Sequence, residues 1–112
     1  MSRHETNVRL QHMLDAAREA ISLLESKQRS DLDTDRLLNL GIVRLFELIG
    51  EAANRVPDDD QMRYPEIQWR QIISLRNRLI HGYDDVDFDI LWAIATQDLP
   101  ELVKALENIL EK

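Results

Sequence analysis

Apolar residues recur along the chain at helical spacing. In residues 3–27 they repeat at steps of four and three, which is the spacing of one face of an amphipathic helix. The positions are Leu10, Leu14, Ala17, Ile21 and Leu24, with Met13 and Ala20 beside them. The same periodicity returns in residues 35–56, 67–80 and 88–110. This pattern predicts an all-α fold.

The four periodic stretches predict an antiparallel four-helix bundle. Asp87 is expected to cap the fourth helix. Pro100 is expected to kink or restart that helix, with Asp98 capping its second part. Residues 57–60, between the second and third helices, are expected to form a turn or loop.

The second helix, with Asp33 or Thr34 as its expected cap, carries apolar residues on more than one face. One stripe comprises Leu38, Ile42, Leu45, Ile49 and Val56, while Leu37, Leu40, Val43 and Phe46 make the first half apolar nearly all round. A peripheral helix of a small bundle buries only one face against its own chain, so the second face favours a partner subunit. A central helix within one chain is the alternative. Gly41 and Gly50 each cost about 1 kcal/mol relative to alanine, which fits close approach of a neighbouring helix.

Two carboxylates, Glu47 and Glu51, lie four residues apart on the polar side of the second helix. This spacing can hold a metal ion, but Arg44 and Arg55 flank the pair, so we favour salt bridges and expect no metal site. One of the two carboxylates could instead hold Arg76 in place.

Composition narrows the functional classes. With 112 residues and no cysteine, the chain is expected to form one domain, residues 1–112, without disulfides, thiolate metal sites or cysteine nucleophiles. No apolar run approaches roughly 18 residues and no basic-then-apolar leader is present, so we expect a cytoplasmic protein without a membrane span. The net charge of −7 argues against general coating of nucleic acid, which needs a basic face, but it allows a small cationic site.

The third periodic stretch ends in a dense set of chemically active residues, Arg76-Asn77-Arg78-Leu79-Ile80-His81-Gly82-Tyr83. On a helical wheel, Arg76 falls in the middle of the apolar face. A guanidinium is rarely buried alone, so Arg76 needs a carboxylate, an interface or a ligand phosphate. Glycine commonly ends helices, and a turn at Gly82 would bring His81 and Tyr83 back towards Arg76.

This R-N-R-L-I-H-G-Y stretch resembles the signature of the HEPN superfamily and, within it, the HepT-like toxin family. The resemblance extends in the same order and spacing from about residue 3 to the C-terminus. It includes Glu47 to Val56, Trp69 to Ile73, Asp84 to Asp87, Ile90 to Trp92 and Asp98 to Pro100.

The resemblance implies a metal-independent endoribonuclease toxin of a type VII-like toxin–antitoxin system, without a cofactor, that cuts RNA such as tRNA or mRNA. His81 would transfer protons, Arg76 would clamp phosphate oxygens, and Asn77 would bind the phosphate or orient His81. One histidine does not readily serve as base and acid in one step, so a homodimer with a composite cleft would supply a second.

The partner implied by the resemblance is a minimal nucleotidyltransferase antitoxin, which would transfer AMP to Tyr83 and block the cleft. Two other interpretations stay open. The chain could be a non-catalytic helical module that binds a nucleotidyltransferase or a nucleotide, which its acidity favours. Alternatively, Arg76 could be a core arginine paired to Glu47 or Glu51, with His81 and Tyr83 packing at the helix end.

Overall fold

The computed structural model describes residues 2–80 and 85–111, and within them every extended regular element is helical. The helices are α1 (Arg3–Leu24), α2 (Asp31–Thr34), α3 (Arg36–Asn54), α4 (Asp58–Arg63), α5 (Trp69–Ile73), α6 (Leu75–Leu79), α7 (Phe88–Ala93) and α8 (Leu99–Leu110), and a π-helical segment, Ile94–Asp98, joins α7 to α8. The predicted all-α class is confirmed. The four-helix arrangement stays a prediction.

The core lies where α1 packs against α3 and α8. The apolar stripe predicted for the first helix is buried there, except for Ile21, which is half-buried. Fully burying a side chain such as Ile42 or Leu106 contributes about 1.5–3 kcal/mol, so the long helices are held mainly by these contacts. The first helix ends at Leu24, three residues before the predicted end at Lys27.

The cap of α3 differs from the prediction. Asp35 caps it, because its carboxylate accepts a hydrogen bond from the backbone N–H of Leu38 at 3.1 Å. Asp33 and Thr34 are excluded from that role since they belong to the separate helical turn α2.

The fourth predicted helix is divided into α7, the π-helical segment and α8. Asp87 caps α7 as predicted, accepting a hydrogen bond from the backbone N–H of Ile90 at 3.0 Å. Asp98 makes no capping hydrogen bond, because its own backbone is helical and continues directly into α8. Pro100 lies in the first turn of α8, where its missing N–H is tolerated. A kink near Pro100 stays a prediction.

Residues 57–60 do not form the expected loop, because α4 begins at Asp58. Proline and aspartate favour turns, but they also favour the first turn of a helix, where carboxylates complement the helix dipole. The hydroxyl of Thr6 donates to Oδ2 of Asp60 at 2.7 Å. This bond ties the beginning of α1 to the segment that follows α3.

The third predicted helix is broken at Ser74 into α5 and α6. Ser74 has φ −92° and ψ 12°, and its hydroxyl donates to the backbone carbonyl of Arg70 at 2.8 Å. Beyond the break, Leu75 and Leu79 are the residues that enter the core. The side chain of Arg76 is 66% exposed. The prediction that Arg76 lies in the middle of a buried apolar face is therefore wrong.

Close helix approach, predicted from the two glycines of α3, is confirmed at Gly50. A Cβ atom there would lie 3.0 Å from the backbone carbonyl oxygen of Ile72 on α5, which is too close without movement of α5. At Gly41 the nearest atom to an added Cβ is Cδ2 of Leu23 at 3.7 Å, an ordinary contact. Of these two glycines of α3, Gly50 is therefore the one that packing requires.

We expect Gly50→Ala to lower the free energy of unfolding by about 1–3 kcal/mol, because the added methyl overpacks the α3–α5 contact. Gly41→Ala is the matched control in the same helix, and it should raise the free energy of unfolding by up to about 1 kcal/mol through helix propensity. Urea denaturation followed by circular dichroism measures both. Stabilisation by both substitutions would contradict the close contact at Gly50.

Candidate active site

Arg76 and Asn77, on α6, line a pocket beside α3. The pocket has a volume of about 200 Å³, and its other lining residues are Phe46, Glu47, Gly50, Glu51 and Asn54 on α3 and Ile73 on α5. Because Gly50 has no side chain, α5 and α6 lie close enough to α3 for residues of both to share this pocket. The structure thus brings together two of the four predicted site residues.

The carboxylate of Glu47 forms an ion pair with Arg76. The closest atoms are Nε of Arg76 and Oε2 of Glu47, 3.5 Å apart. The Arg76 side chain is 66% exposed and the Glu47 side chain 26% exposed, so the pair contributes at most about 1 kcal/mol to stability. The alternative in which one carboxylate of the second helix holds Arg76 is confirmed for Glu47. The exposed guanidinium remains accessible to a phosphate.

Glu51, one helical turn further along α3, has a different partner. Nη1 of Arg44 lies 3.2 Å from Oε1 of Glu51 and donates a hydrogen bond to it, which confirms a salt bridge there. Arg55, the other arginine predicted to flank the carboxylates, forms no ion pair in residues 2–80 and 85–111. The same described ranges contain no group of three or more histidine, aspartate or glutamate residues that could hold a metal ion.

His81 and Tyr83, the predicted proton-transfer and modification residues, lie outside the described residues, as does the predicted helix terminator Gly82. The described chain on either side is held together at the end of α6. Ile80 and Val86 form an isolated antiparallel β-bridge, and the backbone N–H of Asp87 donates to the carbonyl of Leu79 at 2.8 Å. The helix therefore ends at Leu79, before the predicted position.

The apolar surface predicted on the first half of α3 is only partly exposed. Leu37 is 83% exposed and Leu40 is 49% exposed. Phe46 is fully buried in the core and Val43 is half-buried, so these two do not belong to a second outward face. The exposed apolar surface of α3 is therefore smaller than predicted. It consists of Leu37 and Leu40, with Leu48 exposed further along the helix.

Within the described ranges, no helix combines the length and apolar character needed to cross a membrane.

Comparison with known proteins gives one family. The sequence model described as "Ribonuclease HepT-like" matches residues 13–109. A protein of Thermococcus cleftensis named "Probable ribonuclease HepT" is 36% identical over 95 residues, covering 81% of this chain and 86% of its own. A Methanocaldococcus jannaschii protein named "Putative RNase MJ1380" is 28% identical over 109 residues, covering 97% of this chain and all of its own. No solved structure gives a significant match.

Proposed function

The chain belongs to the HepT-like ribonuclease family, and we propose that it is a metal-independent endoribonuclease that cuts RNA at the pocket of Arg76 and Asn77. The observation that carries this assignment is the exposed guanidinium of Arg76 beside Asn77 in the pocket against α3. His81 follows Arg76 by five residues in the chain. Together these residues offer a cation, an amide and an imidazole to one phosphodiester.

In the proposed reaction, the 2′-oxygen of one nucleotide attacks the adjacent phosphorus and loses its proton to a base. The bond from phosphorus to the 5′-oxygen then breaks, and an acid protonates that oxygen. Arg76 stabilises the charge that develops on the non-bridging oxygens. His81 transfers a proton, and Asn77 binds the phosphate or orients His81. The products carry a 2′,3′-cyclic phosphate, or the 3′-phosphate derived from it, and a 5′-hydroxyl.

A second histidine is needed because base and acid act in the same step, and we propose that a second copy of the chain supplies it. The exposed leucines of α3, Leu37 and Leu40, support association, since large apolar side chains at the surface favour burial in an interface. The proposed active form is a homodimer with a composite cleft.

We further propose that the chain is the toxin of a type VII-like toxin–antitoxin pair in the cytoplasm. Its partner would be a minimal nucleotidyltransferase that transfers AMP to Tyr83. The added phosphate and adenine would then occupy the Arg76 pocket and exclude RNA. For the fold, we propose a single domain spanning residues 1–112 with an antiparallel four-helix arrangement.

A non-catalytic module that binds a nucleotidyltransferase or a nucleotide is the second candidate. Two observations favour it: the net charge of −7, and the carboxylate of Glu47 at 3.5 Å from Arg76, where it competes with a phosphate. Such a module would bind its partner but leave RNA intact.

The two candidates are separated by incubating the purified chain with total RNA and with tRNA, in EDTA and in magnesium. We expect cleavage in both conditions. Cleavage only with magnesium would contradict metal independence. If RNA stays intact, the mass of the protein decides: an added AMP on Tyr83 indicates a silenced toxin, and the unmodified mass indicates the binding module.

Glu47 is expected to assist cleavage by restraining the exposed side chain of Arg76. Glu47→Gln should lower kcat/KM by up to about fivefold, as expected for loss of an exposed ion pair. Glu51→Gln is the matched control, because Glu51 lines the same pocket but pairs with Arg44. Cleavage kinetics at low salt measure both variants. Faster cleavage by Glu47→Gln would mean that Glu47 obstructs the phosphate instead.

A further inference from the structure

A second groove, between α1 and α3, adjoins the Arg76 pocket and has no role in the reaction described above. Its volume is about 420 Å³. It is lined by the basic residues Arg9, His12 and Arg55 and by the acidic residues Asp15, Glu19 and Glu51. Glu51 lines both the groove and the Arg76 pocket, so the two lie next to each other at this residue.

Arg9 and Arg55 lie at one end of this groove and Glu19 lies at the other, with Asp15 and Glu51 between them. The bond between Thr6 and Asp60 ties the beginning of α1 to the segment after α3, so Arg9 lies towards the end of α3 that carries Arg55. Glu19 is ten residues beyond Arg9, which is about 15 Å along a helix. We call the end formed by Arg9, His12 and Arg55 the basic end of the groove.

The two other carboxylates of the groove already have partners. Oδ1 of Asp15 accepts a hydrogen bond from Nε2 of Gln11 at 2.9 Å, and Glu51 pairs with Arg44. Both carboxylates therefore accept hydrogen bonds from groups other than Arg9 and Arg55, and within the described ranges neither arginine is paired with them.

Arg9, which lines this groove, has a side-chain donor without a partner. Its Nε atom is buried and has no hydrogen-bond partner, and neither Arg9 nor Arg55 forms an ion pair within the described ranges 2–80 and 85–111. A buried donor without a partner costs about 1–3 kcal/mol. A guanidinium is suited to phosphate, which it binds through two parallel N–H groups.

We propose that the basic end of the groove binds the phosphodiester backbone of the RNA strand, at a distance from the bond that is cut beside Arg76. This proposal rests on the proposed ribonuclease function and adds a subsite to it. Arg55 directly follows α3 and is eight residues beyond Glu47, about 12 Å along the helix axis. A stacked strand advances about 3.4 Å per nucleotide, so about three or four nucleotides span this distance. An RNA strand bound at both the Arg76 pocket and this subsite would cross α3. The net charge of the chain as a whole is unfavourable for RNA binding.

The test uses fluorescently labelled RNA in which every ribose is 2′-O-methylated, which removes the attacking hydroxyl. A dinucleotide bound at the Arg76 pocket is too short to reach the basic end as well, whereas about twelve nucleotides span both. Fluorescence anisotropy gives the dissociation constants. Arg55→Gln should weaken binding of the longer RNA about tenfold, leave the dinucleotide unaffected and lower the salt dependence by about one phosphate contact.

Two further variants make this test specific. Arg9→Gln should weaken binding in the same way as Arg55→Gln. Because Arg9 is partly buried, circular dichroism is used to verify that the Arg9→Gln variant is folded. If it is not, the test rests on Arg55→Gln, since Arg55 is exposed. Arg18→Gln is the matched control for charge, since Arg18 is exposed on α1 and pairs with Glu107 at 2.6 Å outside the groove. Equal weakening by Arg18→Gln and Arg55→Gln would overturn the subsite, as would absence of binding of the longer RNA to the wild type.

Cleavage of the unmodified longer RNA, measured in parallel, separates the two proposals. Binding that depends on Arg55 without any cleavage, by protein whose mass shows no added AMP, would refute the ribonuclease and keep the groove as an RNA site. Cleavage with the same KM for Arg55→Gln and Arg18→Gln would refute the groove and keep the ribonuclease.

Discussion

Arg76→Ala is expected to lower kcat/KM for RNA cleavage by about 10²–10³-fold, the usual cost of removing a donor that stabilises transition-state charge. Its effect on folding should be small, because the side chain is 66% exposed and its ion pair with Glu47 contributes at most about 1 kcal/mol. Single-turnover cleavage measures the first effect and thermal unfolding by circular dichroism measures the second.

Arg70→Ala is the control for this prediction. Arg70 is an exposed arginine on α5 and does not line the Arg76 pocket, so its loss changes the net charge equally. We expect near-wild-type cleavage from Arg70→Ala. Similar rates for the two variants would show that Arg76 acts only through net charge or not at all.

His81→Ala is expected to lower kcat by about 10²–10⁴-fold, which is the range for loss of a general acid or base. RNA binding should change little, since the arginines that bind phosphate are unchanged. His4→Ala is the control, because His4 is exposed at the start of α1. Cleavage of unmodified RNA measures the effect on rate. Fluorescence anisotropy with 2′-O-methylated RNA measures the effect on binding. Loss of binding equal to the loss of rate would assign His81 to binding and not to proton transfer.

The long helices were predictable because each repeats its apolar pattern over several turns. α1 has 22 residues and α3 has 19, and an apolar stripe of that length determines which face of the helix is buried. The break at Ser74 was not predictable in the same way. A helical wheel assumes an uninterrupted helix, and a change of backbone angles at one residue redirects every later side chain. Arg76 was therefore assigned to the wrong face, although its pairing with Glu47 was among the expectations.

The basic end of the groove could not be predicted from the sequence, for a different reason. Arg9 and Arg55 are 46 residues apart in the chain, and only the packing of α1 against α3 brings them to one groove. Local periodicity carries no information about such a pairing. The resemblance to HepT-like proteins, by contrast, rests on contiguous residues, and the family match over residues 13–109 confirms it.

The most direct test of the account is to map the ends of the RNA products formed in EDTA by the wild type and by His81→Ala. The account predicts 5′-hydroxyl ends and 2′,3′-cyclic or 3′-phosphate ends from the wild type, and no such products from the variant. 5′-Phosphate and 3′-hydroxyl ends would indicate attack by water instead of the 2′-hydroxyl and would contradict the mechanism. Equal cleavage by His81→Ala would contradict the assignment of the site.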